Sequence, residues 1–310
     1  LSRKKNFDIV CFGECAIDHI SRVSQKRTEG FPMRISSCKT SFGGRGLNFV
    51  NIAGIFTQEV LLISAVGDDY ASSGLKRHLM KKGICDSRFY RTKKSGLPQA
   101  FIYNSNSDGT VYFYPGLRLK AEKKLKNHLD QCINSLRAKI IYCTSSDPGL
   151  NYRLLKDFSG ELKAFAPGQE LFLYSNREIT ANLAYADILF LNKIEAHLLE
   201  KNLRKGIEKI LVDYDLDFIV VTLGGKGSRV ISKKETLNIP ACAAGKTVDE
   251  TGAGDGFAAA FLATYLSTSD LNYSARIAGV TSSFLLEAHG SPVDLPDYEI
   301  ILKRYKKANL

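Results

Sequence analysis

The segment Asp249-Glu250-Thr251-Gly252-Ala253-Gly254-Asp255-Gly256-Phe257 sets small residues directly before a helix-forming run, Ala258 to Leu266, with Phe257, Phe261 and Tyr265 on one i, i+4 stripe. Small residues at a helix start let backbone N–H groups approach an anion, and the helix dipole adds favourable potential there. Gly252 to Gly254 therefore reads as a phosphate cradle. Asp255, inside that cradle, would repel a bound phosphate unless its charge were used. Beside a transferring phosphoryl group, a carboxylate is the expected base for the attacking hydroxyl. The same spacing also fits a plain first-turn acid favoured by the dipole.

Three further clusters carry polar groups next to bare backbone. Gly43-Gly44-Arg45-Gly46-Leu47-Asn48 opens a helix through Val50 to Phe56, and Asn48 offers both donor and acceptor to hydroxyls. Asn192-Lys193-Ile194-Glu195 puts an amide and a carboxylate three residues apart on one helical face, suited either to hydrated Mg²⁺ with its phosphates or to a helix N-cap. Thr222-Leu223-Gly224-Gly225-Lys226-Gly227 is a tight turn after a strand, either a nucleotide loop or a plain β-turn. Other phosphate motifs fail. Gly245-Lys246-Thr247 imitates the end of a P-loop, but Pro240 stands where its first glycine is required, and no G-x-G-x-x-G follows the first strand.

The elements that must position these residues follow an α/β rhythm. Apolar runs at Asp8 to Phe12, Val60 to Val66, Lys139 to Thr144, Leu162 to Phe165, Ile188 to Leu191 and Phe218 to Leu223 suit strands of a mainly parallel sheet buried on both faces. Amphipathic stretches at Gly74 to Lys82, Lys123 to Leu136 and Ile194 to Leu211 supply crossover helices. Two regions, about 19–42 and 99–115, depart from that rhythm, and Ile20 to Phe42 alternates more nearly with period two. Asp108-Gly109 reads as the turn of a hairpin between Gln99 and Tyr114, and the two regions together are expected to form a small β-sheet lid on a single 1–310 domain.

Composition narrows the classes. With 310 residues and 44% hydrophobic content the chain can bury one large core. No run of about eighteen apolar residues occurs, and Leu1-Ser2-Arg3-Lys4-Lys5 leads into a strand without an apolar signal region, so a soluble cytoplasmic protein with no membrane partner is expected. Seven scattered cysteines without a C-x-x-C pair read as buried, reduced thiols, and five histidines show no metal spacing. The +11 net charge would attract phosphates or nucleic acid, but Lys120 to Lys126 and Lys303 to Lys307 alternate with apolar residues as solvated helix faces do, so nucleic acid is not expected.

In order, Gly13 to Asp18, Gly43 to Asn48, Ala65 to Asp69, Asn192 to Glu195, Thr222 to Gly227 and Asp249 to Asp255 resemble the ribokinase-like (PfkB) carbohydrate and nucleoside kinases along nearly the whole chain. Asp147 to Asn151, Phe165 to Glu170, Ile239-Pro240 with Ala244 to Lys246, and Glu287 to Gly290 are most similar to the archaeal nucleoside kinases. The resemblance implies a Rossmann-type sandwich with a β lid, ATP with Mg²⁺, and transfer of the γ-phosphoryl group to a primary hydroxyl. It leaves a monovalent cation open as a further activator. It assigns Asp255 as base, Gly252, Ala253 and Gly254 as anion hole, and Asp18, Asn48, Gly43, Gly44, Arg45 and Gln169 as the acceptor side. Asn192, Thr222, Gly224 and Gly227 fall to ATP, and Asn192 with Glu195 to Mg²⁺ through water.

Two residues depart from the family pattern. Glu250 adds negative charge beside the anion hole. Arg45 stands where nucleoside kinases carry a small residue and ribokinases a lysine, and is read as a cation in the acceptor pocket that favours a free or acidic sugar. The expected activity is phosphorylation of a ribonucleoside at its 5′-hydroxyl, pairing to a homodimer through the lid. A kinase for ribose, fructose or a keto-deoxy sugar acid is the alternative on the same scaffold, and a non-catalytic nucleotide- or RNA-binding protein is the alternative from another class.

Overall fold

Runs such as Ile9-Val10-Cys11-Phe12 and Ile188-Leu189-Phe190-Leu191 have no polar face to offer water, so they are stable only where helices cover a sheet on both sides. In the computed structural model, which describes residues 6–23, 32, 34–93, 95–104, 109–116, 123–245, 247, 251–288 and 295–308, they lie in an eight-stranded sheet. Its order is Thr236–Ile239, Ser228–Ser232, Phe218–Thr222, Ile188–Asn192, Leu162–Phe165, Arg137–Cys143, Asn6–Phe12 and Val60–Ile63. All neighbours are parallel except the two pairs made by Ser228–Ser232, which are antiparallel.

Alternate side chains of each strand enter opposite cores. Ile9 and Cys11 pack with helices Arg45–Phe56, Ala253–Thr268 and Leu271–Glu287, while Val10 and Phe12 pack with Lys123–Ser135, Pro148–Asp157, Asn176–Leu183 and Lys193–Leu203. The Ala253–Thr268 helix is held at a fixed depth by Gly256, where an added Cβ would lie 2.2 Å from Leu285 Cδ1 and 2.7 Å from Ile52 Cδ1. Only a residue without a side chain lets three helices meet there, and that contact sets where the helix N-terminus sits.

A separate four-stranded sheet has the order Ile35–Gly43, Ala16–Val23, Gln99–Asn104 and Gly109–Tyr114. It is the expected lid, but its strands reach back to Ala16 and on to Gly43, so Asp18 and Gly43 belong to the sheet itself. Asp108, Lys246, Asp249, Glu250, His289 and Gly290, with part of the 19–42 segment, lie outside the described residues.

Three readings of the sequence are corrected. Ile194 to Leu211 is two helices, Lys193–Leu203 and Ile207–Asp213, because Arg204 turns left-handed (φ 52°) and Glu200 accepts the Ile207 N–H at 2.9 Å as the second helix starts. Val60 to Val66 splits after Ile63, and Ala65–Val66 pairs instead with Tyr90–Arg91 in a two-stranded sheet. Of the seven cysteines, Cys38 and Cys85 are exposed rather than buried.

Candidate active site

Because six neighbouring strands run parallel, their C-terminal ends share one edge, where ligands of open α/β sheets bind. Gly13, Thr144, Ala166, Asn192 and Thr222 stand in a row along it, just past or at the ends of those strands. Asn192 and Thr222 are direct register partners.

The Ala253–Thr268 helix points its first turn at this edge. Gly252 takes φ 77° as its N-cap, a left-handed conformation that an L side chain would strain, and a Cβ at Gly254 would meet nothing within 4 Å, so the turn faces open space. Asp255 in that turn is half-buried and accepts a 3.2 Å hydrogen bond from Asn48 Nδ2. Burial pushes its carboxyl up to about 7; Arg45 and the Asn48 hydrogen bond oppose the shift, and Glu195 and Glu14 add to it. A carboxylate poised near neutrality suits a general base.

Asn48 is 4% exposed, and its Oδ1 is buried without a hydrogen-bond partner. Asp18, 5% exposed, pairs across the lid with Ser41 on one side and Ala100 on the other. Gly43 ends the Ser41 strand, and Gly44, at φ 93°, caps the helix that carries Asn48. The structure thus joins Asp18, Gly43, Gly44 and Asn48 to Asp255, although the two ends of that chain of contacts are far apart in sequence.

Arg45 is placed differently from the expectation. Its Nε and Nη2 donate to Thr144 Oγ1 (2.9 and 2.5 Å), Nη1 donates to Pro167 O (2.8 Å) and Glu170 Oε2 (2.7 Å), and Nη2 also donates to Ala166 O (2.6 Å). A guanidinium has five N–H donors, and all five are committed. Burial works against the Arg45 charge, and Glu170, Glu14 and Asp255 more than offset it. Arg45 therefore ties the Asn48 helix to the ends of two strands and has no donor left for an acceptor.

Gln169 is exposed on the short Gly168–Leu173 turn, and its neighbour Glu170 is the residue that reaches Arg45. Glu14, which burial pushes up, accepts from Ser146 N (2.6 Å) and Ser145 Oγ (3.3 Å). Sequence reasoning missed Glu14, Glu170 and Thr144. The first two lie within motif segments singled out for other residues, and nothing local marks Thr144.

Both readings of Asn192 and Glu195 meet in the structure. Asn192 Oδ1 accepts from Ile194 N (2.8 Å) and Glu195 N (2.9 Å), while Glu195 accepts from Asn192 N (2.9 Å) and Nδ2 (2.7 Å), a complete capping box. Burial pushes the Glu195 carboxyl up. Among the described residues no group of three His, Cys, Asp or Glu side chains could hold a metal directly. One carboxylate plus an amide still fits Mg²⁺, which keeps most of its waters and takes further oxygens from phosphates. Thr222 leads into the Gly224–Lys226 turn, with Gly224 at φ 60° and Gly227 at φ 89°, and a Cβ at Gly224 or Gly225 would meet nothing within 4 Å.

The aromatic residues of the hairpin divide between two faces. Phe113 pairs with Ala100 and so shares the Asp18 face, whereas Phe101, Tyr103 and Tyr112 lie on the other. There Phe101 stacks on His19 with centroids 4.8 Å apart, and Tyr103 meets Tyr112 edge-on. Of these four aromatics, only Phe113 stands on the face that carries Asp18.

With that arrangement in view, the comparison with known families is decisive: residues 6–297 match the pattern described as pfkB family carbohydrate kinase. The chain belongs to the pfkB family. A nucleoside kinase of Methanocaldococcus jannaschii is 30% identical over 305 residues, covering 96% of this chain and 97% of that protein. A nucleoside kinase of Methanothermobacter thermautotrophicus is 27% identical over 302 residues, covering 96% and 95%. The crystal structure of the M. jannaschii nucleoside kinase, described as an archaeal member of the ribokinase family, superimposes with a TM-score of 0.84 at 29% identity, covering 97% of this chain and 98% of that one. This pfkB protein is accordingly a phosphotransferase with a hydroxyl acceptor, a kinase of the nucleoside and sugar class. Among the described residues no helix is long and apolar enough to cross a membrane.

Proposed function

We propose that this pfkB kinase transfers the γ-phosphoryl group of ATP to the 5′-hydroxyl of a ribonucleoside. The observation that carries the reading is the Asn48–Asp255 hydrogen bond, which joins the floor of the acceptor side to the first turn of the phosphate-facing helix. A hydroxyl held by Asp18 and Asn48 lies where Asp255 can take its proton, and the amides at 252 to 254 stand where charge develops on the transferred group. Thr222, Gly224 and Gly227 take the nucleotide. Asn192 and Glu195 would hold a hydrated Mg²⁺, which when bound neutralises phosphate charge. The nucleoside kinase relatives support a nucleoside acceptor, and the full commitment of Arg45 to protein acceptors removes the feature that favoured a free or acidic sugar.

The test is competition. With inosine, guanosine, adenosine, cytidine, ribose and fructose at equal concentration, nucleoside monophosphates are expected to dominate the products by at least about tenfold, since stacking of a base on an aromatic face contributes about 1–3 kcal/mol. Predominant phosphorylation of ribose or fructose overturns the nucleoside reading and leaves the kinase standing.

We also expect two copies to pair through the lid. Val111, Tyr112, Phe113 and Tyr114 are 61%, 59%, 53% and 51% exposed on consecutive positions of one edge strand, an apolar stretch that association would cover. Light scattering is expected to give twice the chain mass, falling to the monomer mass when Val111 and Phe113 are both replaced by lysine. A wild-type monomer overturns the expectation.

A further inference from the structure

Two buried polar atoms on the acceptor side have no hydrogen-bond partner: Ser41 Oγ and Asn48 Oδ1. Ser41 is 6% exposed and Asn48 4%. Such orphans are rare in folded proteins, and a ligand that completes them is one of the few reasons they persist. They are also neighbours of the right kind. Ser41 is the cross-strand partner of Asp18, so its hydroxyl and the Asp18 carboxylate leave the same face of the lid at adjacent positions. Its strand runs through Gly43-Gly44 directly into the helix that carries Asn48.

Their chemistry differs in a useful way. Asn48 Nδ2 gives one of its two hydrogens to Asp255, and Asn48 Oδ1 is the acceptor still open; Ser41 can both donate and accept. A hydroxyl that donates and accepts, beside an open amide oxygen that accepts, matches two hydroxyls of a sugar, and a ring carbon that lacks its hydroxyl would leave Ser41 buried and unpaired.

We propose that Ser41 is an acceptor-specificity residue whose hydroxyl bonds a ring hydroxyl of the bound sugar, beside Asp18 and Asn48. The proposal rests on the kinase reading of this site, with either a nucleoside or a free sugar as acceptor. The assay compares wild type and Ser41→Ala on inosine, 2′-deoxyinosine and 3′-deoxyinosine. Ser41→Ala is expected to lower kcat/KM for inosine about tenfold with KM for ATP unchanged, the loss typical of a buried hydroxyl left unpaired. On the one deoxy form that lacks the contacted hydroxyl, wild type is already weakened to a similar degree and Ser41→Ala does nothing more. Thermal unfolding of the free variant is expected at the same temperature or higher, because the hydroxyl it loses has no partner in the free protein. Unchanged kcat/KM for inosine overturns the proposal, as does an equal loss on inosine and on both deoxy forms. If wild type prefers ribose to every nucleoside, the nucleoside reading fails separately, and the same comparison is made with ribose, 2-deoxyribose and 3-deoxyribose.

Discussion

Asp255→Asn is expected to lower kcat by about two to four orders of magnitude while the fold and ATP binding persist, because the amide keeps the shape of the carboxylate and loses its basicity. Single-turnover phosphoryl transfer, measured so that product release does not mask the step, checks it. More than a tenth of the wild-type rate remaining would remove Asp255 from the role of base. The same residue sets the pH profile of the wild type. With its carboxyl pushed up to about 7 by burial, Asp255 is mostly protonated at pH 6 and cannot accept a proton, so kcat/KM should climb with pH and level off above neutrality.

Stability should run the other way. A carboxyl whose folded pKa lies above its unfolded value binds more protons in the folded state, so ionising it weakens the fold as pH rises from about 4 through 7. Asp255→Asn, which cannot ionise, should therefore melt higher than wild type at pH 8, with the difference vanishing near pH 4. A structural aspartate that earned its place by folding would show the opposite order.

The sheet and the lid were legible because their signals are local. Continuous apolar runs such as Ile188 to Leu191 report burial on two faces, the Asp108-Gly109 turn pair between two β-prone runs reports a hairpin, and each run sits in the expected layer. Motif residues were legible for the same reason, since Gly252 and Asp255 do their work within one helical turn. What stayed hidden depends on register or on distant partners. Whether Phe101 or Phe113 shares a face with Asp18 follows only from how three strands are aligned. The break at Arg204 had a visible marker in Gly206, but the apolar spacing runs through it and outweighed it.

Arg45 is the clearest of these cases, because its meaning is decided by residues 99 to 125 positions away. As a sequence feature it was a free cation; in the structure it is a clamp, and the two assignments predict different enzymology. Arg45→Met keeps the apolar stem and removes every donor, leaving Glu170, Thr144 and the carbonyls of Ala166 and Pro167 without their partner. Breaking a buried ion pair by deleting one member costs about 3–5 kcal/mol. The Arg45 and Glu170 side chains are 21% and 25% exposed, so water recovers part of this, and a loss of about 2–3 kcal/mol is expected. Adding Glu170→Gln should restore part of the stability, since it removes the stranded charge.

Catalysis should report the electrostatic side of the same clamp. Arg45 favours the ionised form of Asp255, so its removal raises the Asp255 pKa further and moves the rise of kcat/KM to higher pH. The deficit of Arg45→Met should therefore be large at pH 6 and should shrink as pH approaches 9, with Glu170→Gln unable to reverse it. A cation that instead touched the acceptor would leave the position of the rise unchanged and raise acceptor KM by the same factor at every pH. That pattern would return Arg45 to the acceptor pocket, and it would have to break at least one of the five hydrogen bonds that now hold it to do so.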